Sequence, residues 1–236
     1  MIPKQKVEQM LKENRNHCCD DGTTGKMCVK IVAIAKLPSR YGVFQIAAFE
    51  SNQDKKEHAA LIKGDVTGKD NVTVRIHSEC LTGDGFGSLR CDCRDQLTAS
   101  LEHIEKEGLG VVLYLRQEGR GIGFANKIKA YALQDKGYDT VEADKILGFS
   151  GDERDYQIAA HMLSSLKVSS IKLMTNNPKK IEDLKEHGVK VIGRIPLITP
   201  PNQYNREYLK TKELKAGHLL DFGNELEQSE KAVRDE

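Results

Sequence analysis

The feature that most constrains this chain is a change of periodicity at Cys93. Before it, apolar and β-branched runs at 29–35, 43–49, 59–63 and 72–77, several of them set off by Gly and Asp, predict strands. After it, Leu97, Leu101 and Ile104 fall near helical spacing and predict a helix over 95–107. Short apolar strands at 111–115, 171–174 and 190–192 then alternate with helices at 123–136, 155–166 and 179–186. The expected fold class is α/β (α+β): a β-rich N-terminal half followed by alternating strands and helices in one continuous domain. A short polar helix at 3–14 and an Asp-, Gly-, Thr- and Cys-rich loop at 15–26 precede it, and the charged segment 222–236 reads as a disordered tail.

Composition narrows the function classes. With 236 residues, 39% of them hydrophobic, the chain can bury a sizeable core. Its 36 Lys and Arg against 35 Asp and Glu give a formal charge of +1, which argues against non-specific nucleic-acid binding. No apolar run is long enough to cross a bilayer, and residues 1–14 lack the apolar centre of a signal peptide. The expectation is a cytoplasmic protein with reduced thiols, in which clustered cysteines point to metal binding or catalysis rather than disulfides.

The densest cluster is Cys80, a glycine-rich stretch, then Cys91-Asp-Cys93. Cys80 ends a predicted strand, and the glycines allow the chain to fold back on it. Cys91 and Cys93 share a side in extended chain. Three thiolates suit zinc and leave one tetrahedral position for water, whose pKa the ion lowers to roughly 7 in favourable sites. The competing reading is a closed structural site, with His77 or another residue as fourth ligand, or three unrelated buried thiols. Cys18, Cys19 and Cys28 lack comparable ligand spacing and read as ordinary thiols.

Three turns are candidates for phosphate binding. Arg116-Gln-Glu-Gly-Arg-Gly-Ile-Gly123 lies between a predicted strand and a predicted helix, where glycines and a helix start favour an anion. It is not a Walker pattern, and a tight turn with solvated arginines explains it equally well. Gly151-Asp-Glu-Arg-Asp155 and Thr175-Asn-Asn-Pro-Lys-Lys180 each open a predicted helix, so capping competes with ligand contact in both.

Taken together these segments resemble the GTP cyclohydrolase II family, from about residue 30 to 221. The matching stretches are Arg75 to Asp84, Ser88 to Cys93, Leu115 to Gly123, Ala130 to Asp135, Gly137 to Thr140, Asp152 to Asp155 and Leu173 to Lys180, in the same order and spacing. The resemblance implies a catalytic domain at 30–221, an N-terminal extension at 1–29 and a tail at 222–236. It implies one Zn²⁺ per chain on Cys80, Cys91 and Cys93. GTP contacts are implied at Arg75, Ile76, His77, Ser78, Glu79, Gln96, Glu118, Gly119, Arg120, Thr140, Thr175 and Lys180. Asp152 matches the proton acceptor, Tyr131 a tyrosine at the reacting base, and Arg154 the residue proposed to attack the α-phosphate. A side chain protonated to a pKa above about 12 can equally act by stabilising charge on that phosphorus. Mg²⁺ is expected with the triphosphate, and a homodimer is implied.

The implied reaction opens the imidazole ring of GTP at carbon 8 and releases formate and pyrophosphate. The product is 2,5-diamino-6-(5-phosphoribosylamino)pyrimidin-4(3H)-one, the first step of riboflavin biosynthesis. Two departures from the family pattern, Asp144 and Arg94, keep a variant hydrolase in view, one that stops at the formylamino product or takes another nucleotide. A non-catalytic zinc or nucleotide-binding domain is the third reading.

Overall fold

The computed structural model describes residues 1–15, 27–54, 56–150 and 154–220. The expected loop at 15–26, with Cys18 and Cys19, and the expected tail at 222–236 fall almost wholly outside them. Cys28, grouped above with the ordinary thiols, is disulfide-bonded.

One seven-stranded sheet organises the chain. Its strands are β1 (Val29–Ser39), β2 (Gly42–Ser51), β3 (His58–Lys63), β4 (Val72–Ser78), β5 (Gly110–Leu115), β6 (Ile171–Met174) and β7 (Val191–Ile195). The order is β1-β2-β3-β5-β4-β6-β7. Pairing is antiparallel from β1 through β3 to β5 and parallel among β5, β4, β6 and β7. The change of periodicity at Cys93 falls in the first parallel crossover, from β4 to β5. β4 is an interior strand, between β5 and β6, and all its residues but the last are buried, as a strand covered on both faces requires.

The helices are α1 (Lys4–Arg15), α2 (Cys93–Glu107), α3 (Phe124–Gln134), α4 (Thr140–Ile146), α5 (Gln157–Ser165), α6 (Pro178–Glu186) and α7 (Arg206–Ala216). One face of the sheet meets α1, α5 and α6 through a core that includes Met10, Ile76, Leu113, Met162 and Leu184. The N-terminal helix thus belongs to the main core. On the other face, Leu101 and Ile104 of α2 pack with Phe44 and Val112. Helices α4 and α7 were not expected from periodicity, and the helix expected over 123–136 stops at Gln134.

The side chains of β4 alternate. Val72, Val74 and Ile76 enter the main core, leaving Arg75 and His77 on the α2 face. After β4 the chain runs to β5 on one side, and after β5 it crosses to β6 on the other side. Sheets of this kind bind ligands at the C-terminal strand ends where the connections diverge.

Candidate active site

A cavity of about 380 Å³ opens at that place. Ser78 ends β4 and Glu79 and Cys80 follow it, Glu118 and Arg120 follow β5, and Thr175 and Asn176 follow β6; all line it. Eight Lys or Arg side chains line the cavity against three carboxylates (Glu79, Glu118 and Asp144), so its field favours an anion.

At one wall the three expected cysteines converge. Their Sγ atoms lie within 4.8 Å of one another, and no fourth Cys, His, Asp or Glu among the described residues joins them. Cys80 is carried by the end of β4, Cys93 by the first turn of α2, and a π-helical turn at Leu81–Gly85 folds the chain back between them. Cys80 Sγ is 3.6 Å from Cys91 Sγ. Zinc–sulfur bonds of about 2.3 Å in a tetrahedron put two sulfurs about 3.8 Å apart, so the spacing suits that ion. A Cβ on Gly83 would lie 2.8 Å from Cys91 Sγ and 3.1 Å from Cys80 Sγ, so only glycine fits against the cluster.

The electrostatics also suit a cation. Hydrogen bonds from Cys91 and Cys93, and the facing Lys127 ammonium, hold the Cys80 thiol far below its ordinary range. Cys80 in turn pushes Cys91 up to about 11 and raises Cys93. Three adjacent thiols thus hold one negative charge easily and a second only with a cation among them.

Neighbouring side chains fix the cluster. Asp84 accepts hydrogen bonds from the Cys80 amide at 3.0 Å and the Tyr114 hydroxyl at 2.9 Å, and its carboxylate lies 3.0 Å from His77 Nε2. That contact turns the His77 Nε2 toward Asp84 instead of the sulfurs. Burial lowers the His77 pKa, against the pull of Asp84. Lys127 Nζ donates to Cys80 Sγ at 3.0 Å and to Glu118 Oε1 at 2.7 Å, and Glu118 Oε2 accepts from the Leu81 amide at 2.6 Å. Tyr131 sits beside this group, its hydroxyl 3.3 Å from Thr82 Oγ1 and the Arg90 guanidinium 4.9 Å from its ring centre.

The glycine-rich turn forms the next wall. Gly119 and Arg120 both take left-handed backbone angles, φ of 63° and 61°. That conformation is natural for Gly119 but uncommon for an arginine, and such strain clusters at functional sites. Arg120 reaches Asp144 at 3.5 Å, and Asp144 is buried. Thr140 opens α4, where Asp139 and Glu142 form a reciprocal cap. On the far side, Lys180 Nζ donates to the Ile76 carbonyl at 3.0 Å and lies 4.9 Å from the Tyr156 ring centre, with Arg154 5.6 Å from the same ring. Arg75 donates to Gln96 at 2.6 Å and to the Met174 carbonyl at 3.0 Å.

The structure therefore brings the residues singled out from the sequence to one cavity, with two exceptions. Ile76 does not line the cavity with its side chain, which strand alternation sends into the core; its carbonyl approaches the site through Lys180. Asp152 lies outside the described residues. Of the two departures, Asp144 is engaged by Arg120, and Arg94 is exposed and does not line the cavity. Sequence reasoning missed Arg90, Lys127, Tyr208, Lys212 and His218. For α4, the Asp139-Thr-Val-Glu142 capping box was a readable signal.

Comparison with known proteins gives a concordant result. The family model for GTP cyclohydrolase II matches residues 30–196. The chain is 56% identical over 195 residues to the GTP cyclohydrolase-2 of Campylobacter hominis, covering 83% of this chain and 97% of that one. It is 54% identical over 195 residues to the GTP cyclohydrolase-2 of Klebsiella pneumoniae, covering 83% and 98%. It is also 56% identical over 189 residues to the riboflavin biosynthesis protein RibBA of Synechocystis sp., where it spans 79% of this chain but only 34% of that longer protein. By the family match over most of its length and by these identities, this chain belongs to the GTP cyclohydrolase II family.

Proposed function

We propose that this chain catalyses the zinc-dependent opening of GTP, releasing formate and pyrophosphate and leaving 2,5-diamino-6-(5-phosphoribosylamino)pyrimidin-4(3H)-one for riboflavin biosynthesis. The observation that carries the reading is three convergent sulfurs at the wall of a cavity lined by eight cationic side chains. Cys80, Cys91 and Cys93 hold the ion. Bound there, zinc supplies Lewis-acid activation of water for attack on carbon 8. Each of the three cleavages, two at carbon 8 and one at the α-phosphorus, consumes one water.

The chain's own groups orient and neutralise. Arg120, Lys180 and Arg154 would hold the triphosphate, and Mg²⁺ bound with it would offset part of its charge. Arg154 stays protonated and stabilises charge at the α-phosphorus. Asp152 accepts the proton, Tyr131 packs at the reacting base, and the Arg75-to-Glu79 strand end with Gln96 forms the wall against the nucleoside. Glu118 acts through its charge on Lys127, which offsets the excess thiolate charge at Cys80. The catalytic unit is taken as 30–221, with 1–29 an extension and 222–236 a tail, acting as a homodimer. A cytoplasmic location would keep the three free thiols of the cluster reduced.

The test is incubation of the zinc-loaded protein with GTP and Mg²⁺, followed by mass identification of products. Formate and pyrophosphate in equal amounts are expected. A product that retains the formyl group would establish the variant hydrolase instead, and no GTP consumption would refute catalysis.

A further inference from the structure

Residues 206–220 lie beyond the stretch that the family model matches, yet Tyr208, Lys212 and His218 line the cavity. Their placement is built into the fold. Leu209 and Leu220 are buried against each other at 1% and 3% exposure. Gly217 takes φ 65° and ends α7, a left-handed stop suited to glycine. The chain then reverses, and the Leu219 amide donates to the Asn176 carbonyl at 2.8 Å, next to Thr175.

Lys212 makes the most consequential contact of this segment. Its Nζ lies 2.7 Å from Asp92 Oδ1 and 4.4 Å from the Tyr208 ring centre. The two side chains are 12% and 2% exposed, so the pair is largely shielded from water. Asp92 stands between two of the cysteines. Its other oxygen accepts from Gln96 Nε2, Gln96 Oε1 accepts from Arg75 Nη2 at 2.6 Å, and Arg75 Nη1 donates to the Met174 carbonyl at 3.0 Å. Both ends of the Gln96 amide are thereby assigned, and the Arg75 guanidinium is held against the cavity wall.

A buried carboxylate beside three sulfurs needs a compensating charge. Lys212 supplies it. With Lys212 removed, Asp92 loses its ionic partner, and the run of contacts from Asp92 through Gln96 to Arg75 is reorganised. We propose that Lys212 is a positioning residue for the nucleotide pocket, acting through Asp92 and Gln96 on Arg75, and that residues 206–220 are a working wall of the site. The inference rests on reading the cavity as the GTP site.

The test uses the full chain with K212A, K212R, K212Q, Q96A and the K212A/Q96A double variant. Each is measured for kcat and KM on GTP, zinc content and melting temperature. K212A and K212Q should raise KM about tenfold with zinc content unchanged, within the range by which residues that touch no ligand modulate a site. K212R should recover to within about threefold of the unaltered chain, and K212A should add less than about twofold on top of Q96A, because both changes act on one chain of contacts. An unchanged KM in K212A, multiplying effects in the double variant, or a defect confined to zinc content would overturn the proposal. So would failure of both K212A and K212Q to fold, since that outcome assigns Lys212 to stability alone. No GTP turnover by the unaltered chain would instead sink the functional reading itself.

Discussion

Replacing Gly83 with alanine adds one methyl group against the three cysteines and changes nothing else. The new carbon would lie 2.8 Å from Cys91 Sγ, 3.1 Å from Cys80 Sγ and 3.2 Å from Cys93 Cβ. Unstrained contacts settle near about 3.5–4.0 Å, so the sulfurs must move by several tenths of an ångström. Gly83 is not among the positive-φ glycines, so the substitution adds no left-handed backbone strain and its effect reads on the cluster. Overpacking of this kind costs about 1–3 kcal/mol. If that cost falls on ion binding, at about 1.4 kcal/mol per tenfold, zinc affinity weakens about 5- to 150-fold. Competition against a chelator of known affinity measures it, with the metal-free melting temperature as control. Zinc binding by G83A within twofold of the unaltered chain would refute the placement of Gly83 against an ion held by these sulfurs.

Three other outcomes follow from contacts already described. Lys127→Met leaves Glu118 and Cys80 without their shared cation; breaking such a buried pair costs about 3–5 kcal/mol, which in a chain of this size lowers the melting temperature by about 6–20 °C, and a shift under about 2 °C would show that the pair contributes little. Asp139→Ala removes the cap of α4 and should cost about 0.5–2 kcal/mol by chemical denaturation, with a rise in KM for GTP because Thr140 sits on the first turn; unchanged stability would contradict the cap. Burial, and then the cations Lys212, Lys180 and Arg154, depress His218 to about 3, while burial also lowers His58 and His77. Because these folded pKa values lie below the ordinary histidine value of about 6.5, the unfolded chain binds protons first on acidification. Their stabilising contribution is therefore present above about pH 6.5 and is lost as the pH falls toward the folded values. Melting of the metal-free protein should fall through that window, less steeply in His218→Gln; identical slopes would refute the assignment.

Much of the fold was legible because local and global signals agree there. The runs that became β2, β4 and β5 are short, apolar and bounded by turn residues, and they pack as expected. The cysteine spacing was legible for the same kind of reason, since Cys91 and Cys93 flank a single residue and the glycine-rich stretch before them has one compact way back to Cys80. What the sequence obscured depends on contacts between distant positions. Nothing in Lys212 announces a partner at Asp92, 120 residues away, or in Tyr208 a place against the Lys212 ammonium. The helix α7 that carries them has only a weak apolar stripe, because its buried face meets polar cavity groups as well as core. Lys127 belongs to no motif in the sequence, and its role appears only once Glu118 and Cys80 are beside it. Ile76 belongs to a contiguous motif, and strand alternation sends its side chain away from the site and leaves its carbonyl facing Lys180.

The most direct measurement is metal content and GTP turnover on the same preparations of the unaltered chain and of Cys80→Ser, Cys91→Ser and Cys93→Ser. One zinc per unaltered chain is expected, with formate released from GTP, and each serine variant should lose both together. Zinc-loaded protein that releases no formate, or cysteine variants that keep releasing it, would contradict the account.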